Sequence, residues 1–140
     1  MILLDNYYLC FRIYAYSLLY SSFRGLGMKI TSTKINGVVL IKVEGSLATE
    51  QIKQFEKELY TALDKNSNVI IDFNELSFIC SAGLSLLIAS HKKAEEKKLR
   101  LVLTGCSDDI LKLFSLTEID QHLNIVNSIE EAQSLINAMK

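Results

Sequence analysis

Five residues near the middle of the chain, Val69-Ile70-Ile71-Asp72-Phe73, form a short, nearly unbroken apolar run between polar neighbours. Successive strand residues point to opposite faces, so such a run offers apolar side chains to both sides of a sheet. Sheets buried on both faces are built from parallel strands joined by helical crossovers. The run is read as the central strand of an α/β domain, and this restricts what the flanking segments can be.

Upstream, Ile35-Asn36-Gly37-Val38 places an Asn-Gly pair between two strand-like runs, a hairpin signal because both turn positions need positive φ. In the second run Val39, Ile41 and Val43 share one face, and Lys42 and Glu44 share the other with Val38 and Leu40. Gly45 is expected to end this strand. Thr49 is expected to cap a helix whose apolar positions are Ile52, Phe55, Leu59, Ala62 and Leu63.

Downstream, Leu84, Leu87, Ile88, His91 and Ala94 give a second helix its buried stripe. Its far end carries Lys92, Lys93, Lys97 and Lys98, which suit the negative pole of the helix dipole. Glu95 and Glu96 interrupt these lysines, so the run reads as a solvated helix end. A strand over Leu99 to Thr104 and a turn at Gly105 lead to Ser107-Asp108-Asp109, which opens a helix through Ile110, Leu111, Leu113 and Phe114. A short strand, Leu123 to Val126, precedes Ser128-Ile129-Glu130-Glu131, a capping box. Ala132, Leu135, Ile136 and Met139 line the core face of the last helix. The expected architecture is α/β: a mixed, mostly parallel sheet of four to five strands, opened by a β-hairpin and packed with about four helices.

A chain of 140 residues fits one domain. Fifteen Lys and Arg against sixteen Asp and Glu leave a net charge of −1, with no basic surplus for nucleic acid or an anionic membrane. Three cysteines, Cys10, Cys80 and Cys106, lack CxxC spacing, so neither a zinc site nor a disulfide framework is written, and a cytoplasmic location is expected. Residues 1–27 are rich in Tyr, Phe, Leu and Ile, but their longest uncharged run, Ile13 to Phe23, covers eleven residues. That is about half of what a membrane-spanning helix needs, so no membrane span is expected. They are read as an apolar N-terminal extension, and residues 28–140 as the domain.

The stretch with chemical content is VIIDFNELSFICSAGLSLL, residues 69–87, in which the central strand leads through a short apolar link into Cys80-Ser81-Ala82-Gly83-Leu84 and a helix. A serine at a helix start also serves as an ordinary N-cap. The same place suits a phosphorylated hydroxyl, because the first backbone N–H groups lack intrahelical acceptors and the dipole end is positive. A phosphate there adds roughly −1.5 to −2 charges at one point of the surface. No phosphate loop, GxSxG elbow, HExxH or complete GxGxxG occurs, and no cofactor is implied. Cys80 or Ser81 with His91 or His122 as base is the nearest approach to a nucleophile pair, and His91 lies about three turns along the helix. Asp72, ending a central strand, also suggests the phosphoacceptor of a receiver-like domain, but no second acidic cluster for Mg²⁺ accompanies it.

These residues resemble the STAS domain family, which includes bacterial anti-sigma factor antagonists. The resemblance runs in order from about Met28 to Met139: the hairpin with Gly45, the strand ending Asp72-Phe73, the Phe78-Ile79-Cys80-Ser81-Ala82-Gly83-Leu84 core, and the strand Leu99 to Thr104 with its helix. It implies a STAS fold with Ser81 as phosphoacceptor. Cys80 stands where the antagonists usually carry Asp. The partners implied are an anti-sigma factor serine kinase of the histidine-kinase-like ATPase fold and a PP2C-type phosphatase. Partner contacts implied are Ser46, Thr49, Cys80, Ser81, Ala82 and Gly83, and the chain would be substrate and ligand, not an enzyme. The family also holds adaptor subunits of transport and stress-signalling complexes that need no phosphorylation cycle.

Overall fold

The computed structural model describes residues 28–138. Two strands open it, β1 (Lys29–Ile35) and β2 (Val38–Leu47), joined by Asn36 and Gly37 at φ 51° and 82°, the left-handed pair that a tight hairpin turn requires. A 3₁₀ turn (Thr49–Gln51) enters helix α1 (Ile52–Asp64). Then follow β3 (Val69–Asp72), β4 (Leu76–Ile79), α2 (Ser81–Glu96), β5 (Leu101–Thr104), α3 (Asp108–Leu116), β6 (Asn124–Val126) and α4 (Ile129–Asn137). The strand order is β1-β2-β3-β5-β6, with β4 paired to β2 off that path. Only β1 runs antiparallel to its neighbour.

The central run folds as its composition demands. Val69 and Ile71 join Val39, Ile41, Val43, Leu101 and Leu103 in the large core, where Phe55, Leu59, Leu87 and Phe114 come from α1, α2 and α3. Ile70 points the other way, with Val38 and Val102, into a smaller core closed by Ala132 and Ile136 of α4. Burying an apolar side chain fully is worth about 1.5–3 kcal/mol, so these two layers position everything else. Met139, assigned to the last helix, and residues 1–27 lie outside the described residues. No helix among the described residues is long and apolar enough to cross a membrane.

Several local expectations are corrected. Gly45 does not end the second strand. At φ 91° it carries a register shift between Gly45 and Ser46, and β2 continues to Leu47 by exchanging β3 for β4 as its parallel partner. The link Leu76–Ile79 is that sixth strand. Thr49 caps no helix: Ala48 holds the cap position of the 3₁₀ turn without a side-chain bond, and Gln51 N–H donates to the Ala48 carbonyl at 3.0 Å. The stripe of α2 is Gly83, Leu84, Leu86, Leu87, Ser90 and Ala94, leaving Ile88 and His91 half-buried beside it. β5 begins at Leu101, because Lys98 at φ 60° and Leu99 N–H, donating 2.8 Å to the Ala94 carbonyl, are still closing α2. Ser107 and Ser128 cap α3 and α4 as expected, accepting from Ile110 N–H at 3.3 Å and Glu131 N–H at 3.1 Å. The return bond of the capping box goes one residue further out, from Asn127 N–H to Glu131 Oε2 at 3.0 Å.

Candidate functional site

The extension of β2 past Gly45 brings its tip against the head of α2. Cys80 N–H donates to the Leu47 carbonyl at 3.0 Å, and the Cys80 carbonyl accepts from Leu84 N–H at 3.1 Å, so one residue stitches strand tip to helix. Beneath this stitch Ala48, Phe78 and Cys80 form a small buried cluster, with Ile52 and Ala82 packed against it. The 3₁₀ turn, β4 and the first turn of α2 therefore share one apolar floor.

Cys80, 2% exposed, occupies the N-cap position with extended backbone (φ −87°, ψ 172°) and makes no side-chain cap bond. Ser81 is then the first residue inside the helix and not its cap, and it is half-buried at the surface. The first turn of α2 carries no acidic residue, and the positive pole of a 16-residue helix lies beside Ser81. Gly83 is buried, and a Cβ there would stand 2.6 Å from Ile79 Cγ1 and 3.3 Å from Leu47 Cδ2. Its smallness lets the helix start lie on β4.

Of the six sequence-assigned contact residues, Thr49 is exposed and Ser46, Ser81 and Ala82 are half-buried, all within the tip-and-head assembly. Cys80 and Gly83 belong to it from underneath, where they present almost no side-chain surface. Sequence reasoning missed Ser77. Its hydroxyl donates to the Gly45 carbonyl at 3.0 Å and stands 3.4 Å from Ser46 Oγ, linking β4 to the bulge. The alternation Leu76-Ser77-Phe78, buried, exposed, buried, was the available signal.

The rival chemistries find other uses for their residues. Asp72 is buried, and its Oδ1 accepts from Asn74 N–H at 2.9 Å, turning the chain from β3 toward β4. Gly105, at φ 75°, leaves room for that turn: a Cβ would lie 2.8 Å from both Asn74 N and Asp72 Oδ1. Next to it, burial and then the Asp72 carboxylate push the Cys106 thiol up from 9.0 to about 12, which keeps it protonated. His91 lies about 15 Å along α2 from Ser81 and is engaged by Glu95 at 3.1 Å. Among the described residues, no group of three or more His, Cys, Asp or Glu is placed to hold a metal ion.

Comparison with known proteins bears on this arrangement. The STAS domain profile matches residues 29–132. The protein BtrV of Bordetella bronchiseptica, described as an anti-sigma factor antagonist, is 28% identical over 106 residues, 75% of this chain and 91% of its own. Among solved structures, an anti-sigma factor antagonist from Mycobacterium paratuberculosis superposes with a TM-score of 0.73 at 16% identity, covering 79% of this chain and 95% of that one. The phosphorylated form of the Bacillus cell fate determinant SpoIIAA gives 0.60 at 21% identity, with 79% and 99% covered.

Proposed function

The chain belongs to the STAS domain family, and we propose that it acts as an anti-sigma factor antagonist that binds an anti-sigma serine kinase through the β2 tip and the α2 head and is released by phosphorylation at Ser81. The observation that carries this reading is the place of Ser81: first residue of α2, partly exposed, with no acidic side chain in its turn and a rigid floor beneath. A phosphate on that hydroxyl meets the helix's positive pole on one side and the kinase surface on the other. It adds charge at the centre of the contact while leaving the floor intact. The partner is a kinase of the histidine-kinase-like ATPase fold, and a PP2C-type phosphatase resets the cycle. In this role the protein is substrate and ligand, and the chemistry belongs to its partners.

One observation favours a second reading. Cys80 is buried among Ala48, Phe78, Ile52 and Ala82, so no carboxylate stands beside Ser81 at the position where antagonists usually carry Asp. An adaptor subunit of a transport or stress-signalling complex needs none. Capture from native cells with wild-type, Ser81→Ala and Ser81→Asp baits separates the two. Partner switching requires an ATPase-fold kinase held by the first two and lost by the third. The same non-kinase complex on all three baits, with Ser81 unmodified, establishes the adaptor.

A further inference from the structure

The lysines at the far end of α2 divide into two groups. Lys93 Nζ stands 3.0 Å from Asp64 Oδ1 and 4.2 Å over the Tyr60 ring, and Lys97 Nζ donates to the Leu63 carbonyl at 3.2 Å, 3.9 Å from the same Asp64 oxygen. These two are spent on the end of α1. Lys92, Lys98 and Arg100 form no ion pair among the described residues. They line two adjoining clefts, of about 500 and 310 Å³, that meet at His91, Glu95 and Asn124.

Glu95 is the one carboxylate in that lining, and His91 Nε2 already engages it at 3.1 Å. At the helix end Lys97 N–H donates to the Lys93 and Ala94 carbonyls, Lys98 N–H to Glu95 and Leu99 N–H to Ala94, so these three carbonyls are already hydrogen-bonded within the chain. Among the described residues, three cations without an ion pair and one carboxylate, Glu95, thus line a concave surface, an excess of positive charge that favours an anionic partner. Along α2 the lining begins at Ile88, about 10 Å from Ser81, and runs past the end of the helix to Lys98 and Arg100.

We propose that this groove is a second docking surface, which takes an extended acidic segment of a protein partner. Two adjoining clefts suit a chain that sets successive carboxylates against Lys92, Lys98 and Arg100. The surface works independently of the Ser81 cycle.

The test is an NMR titration of the ¹⁵N-labelled full chain with a hexaglutamate peptide, and with inorganic phosphate in parallel. Expected are saturable shifts centred on His91, Lys98, Arg100 and Asn124, with affinity falling severalfold as salt shortens the Debye length from about 30 to 8 Å. The Lys98→Gln/Arg100→Gln variant should bind roughly tenfold more weakly, a loss of about 1.4 kcal/mol. Lys92→Gln, a milder change, should weaken binding in the same direction, and Ser81→Asp should leave it unchanged. Shifts scattered equally over Lys29, Lys34 and Lys53, or absent at low salt, overturn the proposal. So does phosphate reproducing the peptide's shifts at equal affinity, since that describes a single-anion site.

Discussion

A Cβ on Gly83 would stand 2.6 Å from Cγ1 of Ile79, inside any ordinary contact, so the head of α2 rests on β4 by virtue of a missing methyl group. Gly83→Ala must push the helix start away from Leu47 and Ile79, the two residues that align the strand tip with Ser81. A loss of about 1–3 kcal/mol is expected.

Two other glycines make that expectation a graded one. Gly37 has φ 82° but open space around it, so Gly37→Ala should cost only about 1 kcal/mol of backbone strain. Gly105 combines φ 75° with backbone and carboxylate atoms at 2.8 Å, and Gly105→Ala should cost more than either. Urea unfolding midpoints of the three variants should rank Gly105 worst, Gly83 next and Gly37 mildest. Any other order contradicts the packing described.

The same comparison shows what the sequence could and could not disclose. Asn36-Gly37, Ser107 and Ser128 were legible because turns and caps are decided within four residues. The two-faced burial of Val69–Asp72 was legible because composition alone dictates it. Gly45 was not: whether a glycine ends a strand or bends it toward a new partner depends on β4, which lies thirty residues away and is only four residues long. Ser81 was placed at a helix start and Cys80 as a small buried spacer, and Cys80 is indeed buried, but the position of Ser81 inside the cap follows from the packing of Phe78 and Ile79, a tertiary fact. The lysines of α2 read as one solvated run because Asp64, which claims two of them, lies on another helix.

Ser90 lies in the middle of α2, fully buried, and its hydroxyl has no hydrogen-bond partner among the described residues. Burial without a partner costs about 1–3 kcal/mol, and alanine is also the better helix former. Ser90→Ala should therefore stabilise the fold, by about 1 kcal/mol. A thermal or urea midpoint below that of the wild type would mean that the hydroxyl is satisfied.

Cys106 makes stability fall in alkali. Its thiol ionises near 9.0 in the unfolded chain and near 12 in the fold, so above pH 9 the unfolded chain releases a proton that the folded one keeps. The folded state loses up to about 1.4 kcal/mol per pH unit across that window, and no such loss occurs below it. Cys106→Ala should flatten the decline between pH 9 and 10.5 relative to wild type. Asp72→Asn should relieve only part of it, because burial is the larger cause and the carboxylate the smaller. At pH 8 the thiol should react slowly with alkylating agents.

Ser81→Asp tests whether the proposed switch can be separated from the fold. The first turn of α2 contains no acidic residue, and an anion in that turn interacts favourably with the helix dipole by about 0.3–1 kcal/mol. The substitution also leaves the floor of Ala48, Phe78 and Cys80 untouched. The variant should consequently be as stable as wild type or slightly more so, with the gain fading as salt is added. If it is, any loss of the proposed kinase partner by Ser81→Asp is an effect of charge at the surface, not of unfolding. A midpoint lowered by more than about 1 kcal/mol would instead mean that the hydroxyl supports the helix start, and that the carboxylate disrupts the surface before any partner arrives.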